Sequence, residues 1–178
     1  MVDERVVSVR LEQIERYHGE LNAKRETLSH REFLSSTTER RAVERMFENA
    51  IQACADLAQH VASREFEFDG TTSKGAIRVL AREGVIDEGT AGTLVAAIGF
   101  RNVLAHEYGQ INYDEVYETL QTGLSVYDTY SQQVARWIKR RAEHAHREVI
   151  SRRYTARFTC FCRSTRSERQ RETCGGVI

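Results

Sequence analysis

The stretch of this sequence best equipped for chemistry is Arg101-Asn102-Val103-Leu104-Ala105-His106-Glu107-Tyr108. Ten nearly apolar residues, Ala91 to Phe100, give way at once to Arg101 and Asn102, and His, Glu and Tyr follow in consecutive positions. Polar groups at the end of such a helix are costly unless they are paired or used. An arginine beside a histidine suits phosphodiester cleavage. The guanidinium grips phosphate oxygens in a bidentate fork and stabilises developing negative charge, while an imidazole with an ordinary pKa of ~6.5 moves the proton. RNA brings its own nucleophile, the 2′-hydroxyl, so that reaction needs neither a metal nor a protein nucleophile. One histidine acting as general acid or base is worth about 10²- to 10⁴-fold. The same residues also have a structural reading, in which Arg101 and His106 satisfy the last carbonyls and the dipole of a helix end with Tyr108 packed over them. Spacing alone favours that second reading. On a straight helix, positions five apart differ by roughly 140° in azimuth, so Arg101 and His106 converge only if the helix ends or loosens near Ala105. Gly109 and the turn after it supply that ending.

The elements that must position these residues all read as helices. From Val6 to about Leu28, the residues Val6, Val9, Leu11, Ile14, Tyr17 and Leu21 recur mostly at three- and four-residue spacings. Ser29 caps a short turn through Leu34, and Ser36 with Glu39 forms a capping box for a second long helix. Its core stripe is Phe47, Ala50, Ile51, Cys54, Leu57, Ala58 and Val61, which makes Cys54 a small buried hydrophobe and not a nucleophile. That helix ends near Glu65 to Phe68, because Asp69-Gly70-Thr71-Thr72 is a turn cluster. A short helix capped by Thr72 or Ser73 carries Ile77, Val79 and Leu80 and closes at Gly84. Asp87 caps the next, from about Glu88. Its segment Ala91 to Phe100 is apolar almost all round, which predicts burial on every side, at the centre of a bundle or in a subunit interface. After Gly109 the chain turns through Gln110-Ile111-Asn112 into one last long helix from about Asp114, with Val116, Leu120, Leu124, Tyr127, Val134 and Ile138 inward.

Composition agrees. The 178 residues include no proline, where average usage of ~5% predicts about nine, and such absence suits long uninterrupted helices. The expected fold is an all-α antiparallel helical bundle over residues 1–141, with an Arg-rich, disordered extension over 142–178. Residues 141–178 contain nine arginines against four glutamates, too few apolar side chains for a core. Basic and acidic residues balance at 26 each, so net charge gives no argument for nucleic acid or membrane, and any RNA contact must be local. The longest apolar stretch is about half of a ~20-residue membrane span. The expected location is the cytoplasm. His144, His146, Cys160, Cys162 and Cys174 fit no common zinc spacing, so no metal and no cofactor are expected. His18, His30 and His60 fall on or near helix surfaces and need no role.

The segment Arg-x4-His-x-Tyr, Arg101 to Tyr108, resembles the signature of HEPN domains, in particular the HepT-like toxins of MNT–HEPN toxin–antitoxin modules. The likeness runs from about Leu11 to Arg140. It takes in Glu32-Phe33-Leu34, Arg41-Ala42-Val43-Glu44-Arg45, Leu80-Ala81-Arg82-Glu83-Gly84-Val85-Ile86 and Gly99-Phe100-Arg101-Asn102. What the resemblance implies is a metal-independent RNA endonuclease in which Arg101 and His106 act across a homodimer, with Asn102 orienting the arginine or the phosphate. It further implies a partner nucleotidyltransferase that adenylylates Tyr108. A nucleoside monophosphate on that phenol would set bulk and negative charge where the RNA phosphate belongs. Glu107 reads as a surface carboxylate. Two rival expectations follow from the same residues: a catalytically silent HEPN module that binds a nucleotidyltransferase or nucleotide, and a plain helical dimer.

Overall fold

A computed structural model describes residues 2–106 and 111–144, without the side chains of Glu4 and His106. Among these residues the only regular structure is helical: α1 (Glu4–Thr27), α2 (His30–Ser35), α3 (Thr37–Glu65), α4 (Ser73–Arg82), α5 (Glu88–His106) and α6 (Tyr113–Thr122), then α7 over 125–144. The chain groups into two compact units, Met1–Arg136 and Trp137–Ile178. The bundle and the candidate site belong to the first. In the second, the Arg141 guanidinium lies 5.3 Å from the centre of the Trp137 ring. Residues 107–110 and 145–178, which include Tyr108, His146, Cys160, Cys162 and Cys174, lie outside the described residues.

The central element is α3, which packs against α1, α2, α4 and α5, while α6 packs against α1 and α2. The predicted stripe from Phe47 to Val61 is buried throughout. Cys54 sits within it as a free thiol, and burial holds that thiol far above its ordinary pKa, so it stays protonated. Tyr130 on α7 is fully buried and donates its hydroxyl to the Cys54 carbonyl at 3.1 Å, pinning α7 to the middle of α3.

Local signals explain most boundaries. Ser29 and Glu32 form a reciprocal capping box at α2. At α3 the expected box is only half made: Ser36 accepts from the Glu39 amide, but the Glu39 carboxylate reaches back to Lys24 of α1. Gly84 adopts φ +68°, the left-handed conformation that closes α4 and that glycine adopts without strain. His60, expected on or near a helix surface, is half-buried, and burial lowers its pKa. Two expectations need correcting. The buried line of α1 is Val7, Ile14 and Leu21, a seven-residue repeat, whereas Val6 and Val9 are exposed. The single last helix is two, because Gly123 ends α6: its amide bonds the Thr119 carbonyl at 2.8 Å, and a Cβ there would stand 2.9 Å from that oxygen.

Candidate active site

The helix that carries the signature starts where the sequence places it. The Asp87 carboxylate accepts from the Thr90 amide at 2.7 Å, and this bond with its contacts to Gln133 of α7 holds the carboxyl below its usual pKa. From there α5 runs to His106 with Ala91, Leu94, Ile98 and Leu104 buried. The other side is open. Gly92, Thr93, Ala96 and Val103 are exposed and Phe100 is half-buried, so within one chain α5 is not enclosed on all sides. A Cβ added at Gly92 would meet nothing. A groove of about 220 Å³ adjoins this face, lined by Phe47, Ile51, Ala96, Ala97, Phe100 and Val126 among others.

Arg101 follows Leu94 and Ile98 on the inward side of α5. It is half-buried, and its Nε is buried with no hydrogen-bond partner among the described residues. Asn102, one position on, is exposed. The backbone stays helical through His106 instead of loosening near Ala105. Positions 101 and 106 therefore differ by about 140° around the axis, and one chain does not direct both positions to the same side. The His106 side chain, Glu107 and Tyr108 lie outside what is described, so the structure places only Arg101 and Asn102 of the signature in atomic detail.

The α3 helix, which packs against α5, carries charged residues to which the motif reading gave no role. On α3, Arg41 Nη1 donates to Glu44 Oε2 at 3.0 Å and Arg45 Nη1 to Glu48 Oε2 at 2.9 Å. Glu44 is buried, 4% exposed. Tyr113 opens α6 beneath the Arg40 guanidinium, which lies 4.6 Å from its ring centre and also donates to the Leu34 carbonyl. Burial and the neighbouring Glu44 carboxylate raise the Tyr113 phenol above its usual pKa. The signal for Glu44 was present in its spacing, three residues before Phe47 and seven before Ile51 on the core stripe, but a carboxylate on a core stripe invites being read as surface. Lys74 of α4 reaches over Gly99, its Nζ 3.6 Å from where a Cβ would stand. Among the described residues, no group of three His, Cys, Asp or Glu side chains could hold a metal ion.

Residues 10–134 match the family described as ribonuclease HepT-like. The chain belongs to that family. The chain is similar to the tRNA nuclease HepT of Aphanizomenon flos-aquae, 29% identical over 129 residues, which span 72% of this chain and 87% of that protein. The mRNA nuclease HepT of Shewanella oneidensis is 25% identical over 79 residues, 44% of this chain and 59% of that protein. In fold, this HepT-like chain resembles the tri-AMPylated HEPN toxin of Shewanella oneidensis solved in complex with MNT antitoxin. The TM-score is 0.68 at 20% identity, covering 76% of this chain and 98% of that one. The fold is thus the HEPN helical bundle expected from the sequence.

Proposed function

We propose that this chain is the ribonuclease toxin of a toxin–antitoxin module, a metal-independent RNA endonuclease that works as a homodimer and is silenced by a cognate MNT-type nucleotidyltransferase. The observation that carries the reading is Arg101: a guanidinium whose Nε is buried and unpartnered, at the last turns of an apolar helix whose outer face is open. An unpaired buried donor is costly, so a site that keeps one is built for its guanidinium to be held on one edge and to meet a ligand on the other. A phosphate suits the outer edge.

In the proposed reaction the ribose 2′-oxygen attacks the adjacent phosphorus. His106 accepts the 2′-hydroxyl proton, the P–O5′ bond breaks, and a proton is returned to the departing 5′-oxygen. Arg101 neutralises the charge that builds on the non-bridging oxygens, and Asn102 orients the arginine or the phosphate. The 140° between positions 101 and 106 supports a composite cleft, with Arg101 from one copy and His106 from the other. The exposed apolar face of α5 is the surface through which two copies meet. Tyr108, two residues past His106, is where AMP transfer would block the cleft; the AMPylated state of the Shewanella toxin supports this. The proposed site of action is the cytoplasm, and no helix among the described residues is long and apolar enough to cross a membrane.

Induction of the wild-type chain is expected to arrest growth and degrade RNA, and Arg101→Ala and His106→Ala to abolish both while leaving helical content unchanged. A His106→Ala protein that still cleaves at the wild-type rate would overturn the assignment. A wild-type dimer that cleaves no RNA but binds its nucleotidyltransferase would mark a silent interaction module instead.

A further inference from the structure

Glu44 is the one charged residue counted among the buried residues of the described core. Its Oε2 accepts from Arg41, whose side chain is 54% exposed and largely solvated. Its Oε1 is buried and has no partner in bonding geometry among the described residues, although the Tyr113 phenol lies near enough to the carboxylate for hydrogen bonding with it to raise the phenol's pKa. Taking a carboxylate out of water is expensive unless both oxygens are satisfied, so this ion pair is half-compensated as it stands.

The place of Glu44 gives the free oxygen a use. Gln133 of α7 reaches Thr90 at 3.2 Å, Tyr130 of α7 bonds the Cys54 carbonyl, and Phe100 meets Phe47 edge-on with ring centres 5.5 Å apart. Read together, these contacts make α5 antiparallel to α3. Glu44, one turn before Phe47, therefore lies beside the turn of α5 that follows Phe100, the turn that bears Arg101. On these two turns stand Glu44 Oε1, a buried acceptor that no donor meets in bonding geometry, and Arg101 Nε, a buried donor that no acceptor meets, among the described residues.

We infer that Glu44 is a positioning residue for the site: its Oε1 accepts the Nε–H of Arg101, and the Nη1/Nη2 edge of the guanidinium is thereby turned toward the scissile phosphate. Both groups end rotatable stems, and the pair closes by side-chain rotation. A guanidinium offers two separate forked edges, so a carboxylate on one leaves the other free for phosphate oxygens. Glu48, the next carboxylate along α3, is engaged by Arg45 and has no such free buried oxygen among those recorded. The inference rests on the role proposed above for Arg101, but its first test does not need activity.

That test is the ¹⁵Nε–¹Hε NMR signal of Arg101 in the full-length dimer, assigned by its loss in Arg101→Lys. In the wild type the signal should be protected from solvent exchange. It should collapse to exchange-broadened behaviour in Glu44→Gln and persist in Glu48→Gln. Glu44→Asp, which keeps the charge but shortens the reach by one methylene, should weaken it and serves if Glu44→Gln does not fold. An unprotected Arg101 signal in the wild type overturns the inference, as does one unchanged in Glu44→Gln or lost only in Glu48→Gln. If the chain cleaves bulk tRNA, Glu44→Gln should lower kcat about 10²-fold, the scale expected for a misplaced reacting group. Added to Arg101→Ala it should cost nothing more. A loss of the same factor in both backgrounds would make Glu44 structural only. If no cleavage is seen, the nuclease reading fails while the NMR result still decides the pairing.

Discussion

The proposal that two copies meet through α5 makes a sharp prediction for Ala96→Glu. Ala96 is exposed in the single chain, as are Gly92, Thr93 and Val103 on the same side. In an isolated protomer the new carboxylate points into water, and the cost is the few tenths of a kcal/mol that separate alanine from glutamate in a helix. In a two-fold dimer the same substitution acts twice, because the interface is built from the same patch of both copies. Each uncompensated buried charge costs about 3–5 kcal/mol, so the dimer loses roughly 6–10 kcal/mol. That corresponds to a dimer Kd raised by about 10⁴- to 10⁷-fold. Sedimentation velocity at about 10 µM protein should then show a monomer where the wild type is a dimer, with the thermal midpoint of the monomer's own unfolding little changed. RNA cleavage should vanish with the dimer. Two results would refute the reasoning. An Ala96→Glu protein that remains dimeric would mean that α5 does not form the interface. One that is monomeric yet cleaves normally would mean that a single chain brings Arg101 and His106 together.

The composite cleft is tested by subunit mixing. Arg101→Ala and His106→Ala homodimers should each be inactive, but after unfolding and joint refolding at equal ratio about a quarter of wild-type activity should return, since half the dimers are mixed and each restores one of two sites. No recovery would place both residues of a site on one chain. Incubation with the partner nucleotidyltransferase and ATP should add AMP to the wild type by intact mass and add nothing to Tyr108→Phe; a gain that persists in the variant would exclude Tyr108. Gly84→Ala must hold φ at +68° with a Cβ and should destabilise the fold by about 1 kcal/mol in urea unfolding. Gly123→Ala should also destabilise, by roughly 1 kcal/mol or more, despite alanine's better helix propensity, because its Cβ meets the Thr119 carbonyl. A stabilised Gly123→Ala would mean that α6 and α7 prefer to be one helix.

Much of the fold could be read from the chain because the determinants are local. Thr72 and Asp87 cap the helices they were expected to cap, Gly84 takes the left-handed turn, and the Phe47–Val61 stripe is buried. What failed depended on competition between distant groups. The Glu39 carboxylate pairs with Lys24, fifteen residues away, while the Ser36 amide that a full capping box would give it bonds the Glu32 carbonyl, and nothing in the order of residues says which partner wins. The break at Gly123 turned on one glycine in an otherwise continuous pattern of Val116, Leu120, Leu124 and Tyr127, which periodicity counts as one helix. On α1, Val6 and Val9 share the apolar character of Val7 but fall on the wrong side of a narrow seven-residue seam.

The candidate site was legible only in part, for a related reason. Arg101 and Asn102 announce themselves as the polar end of an apolar segment, but the N-terminal part of α3 is a charged run, Glu39-Arg40-Arg41-Ala42-Val43-Glu44-Arg45, and sequence alone does not say which residue is buried. Burial singles out Glu44. The apolar outer face of α5 poses the complementary problem. An all-apolar helix predicts enclosure, and a single chain encloses only one side of it. The uncovered residues are small, Gly92, Thr93 and Ala96, with Phe100 and Val103 nearer the signature, so a second α5 can approach closely at one end and meet larger side chains at the other.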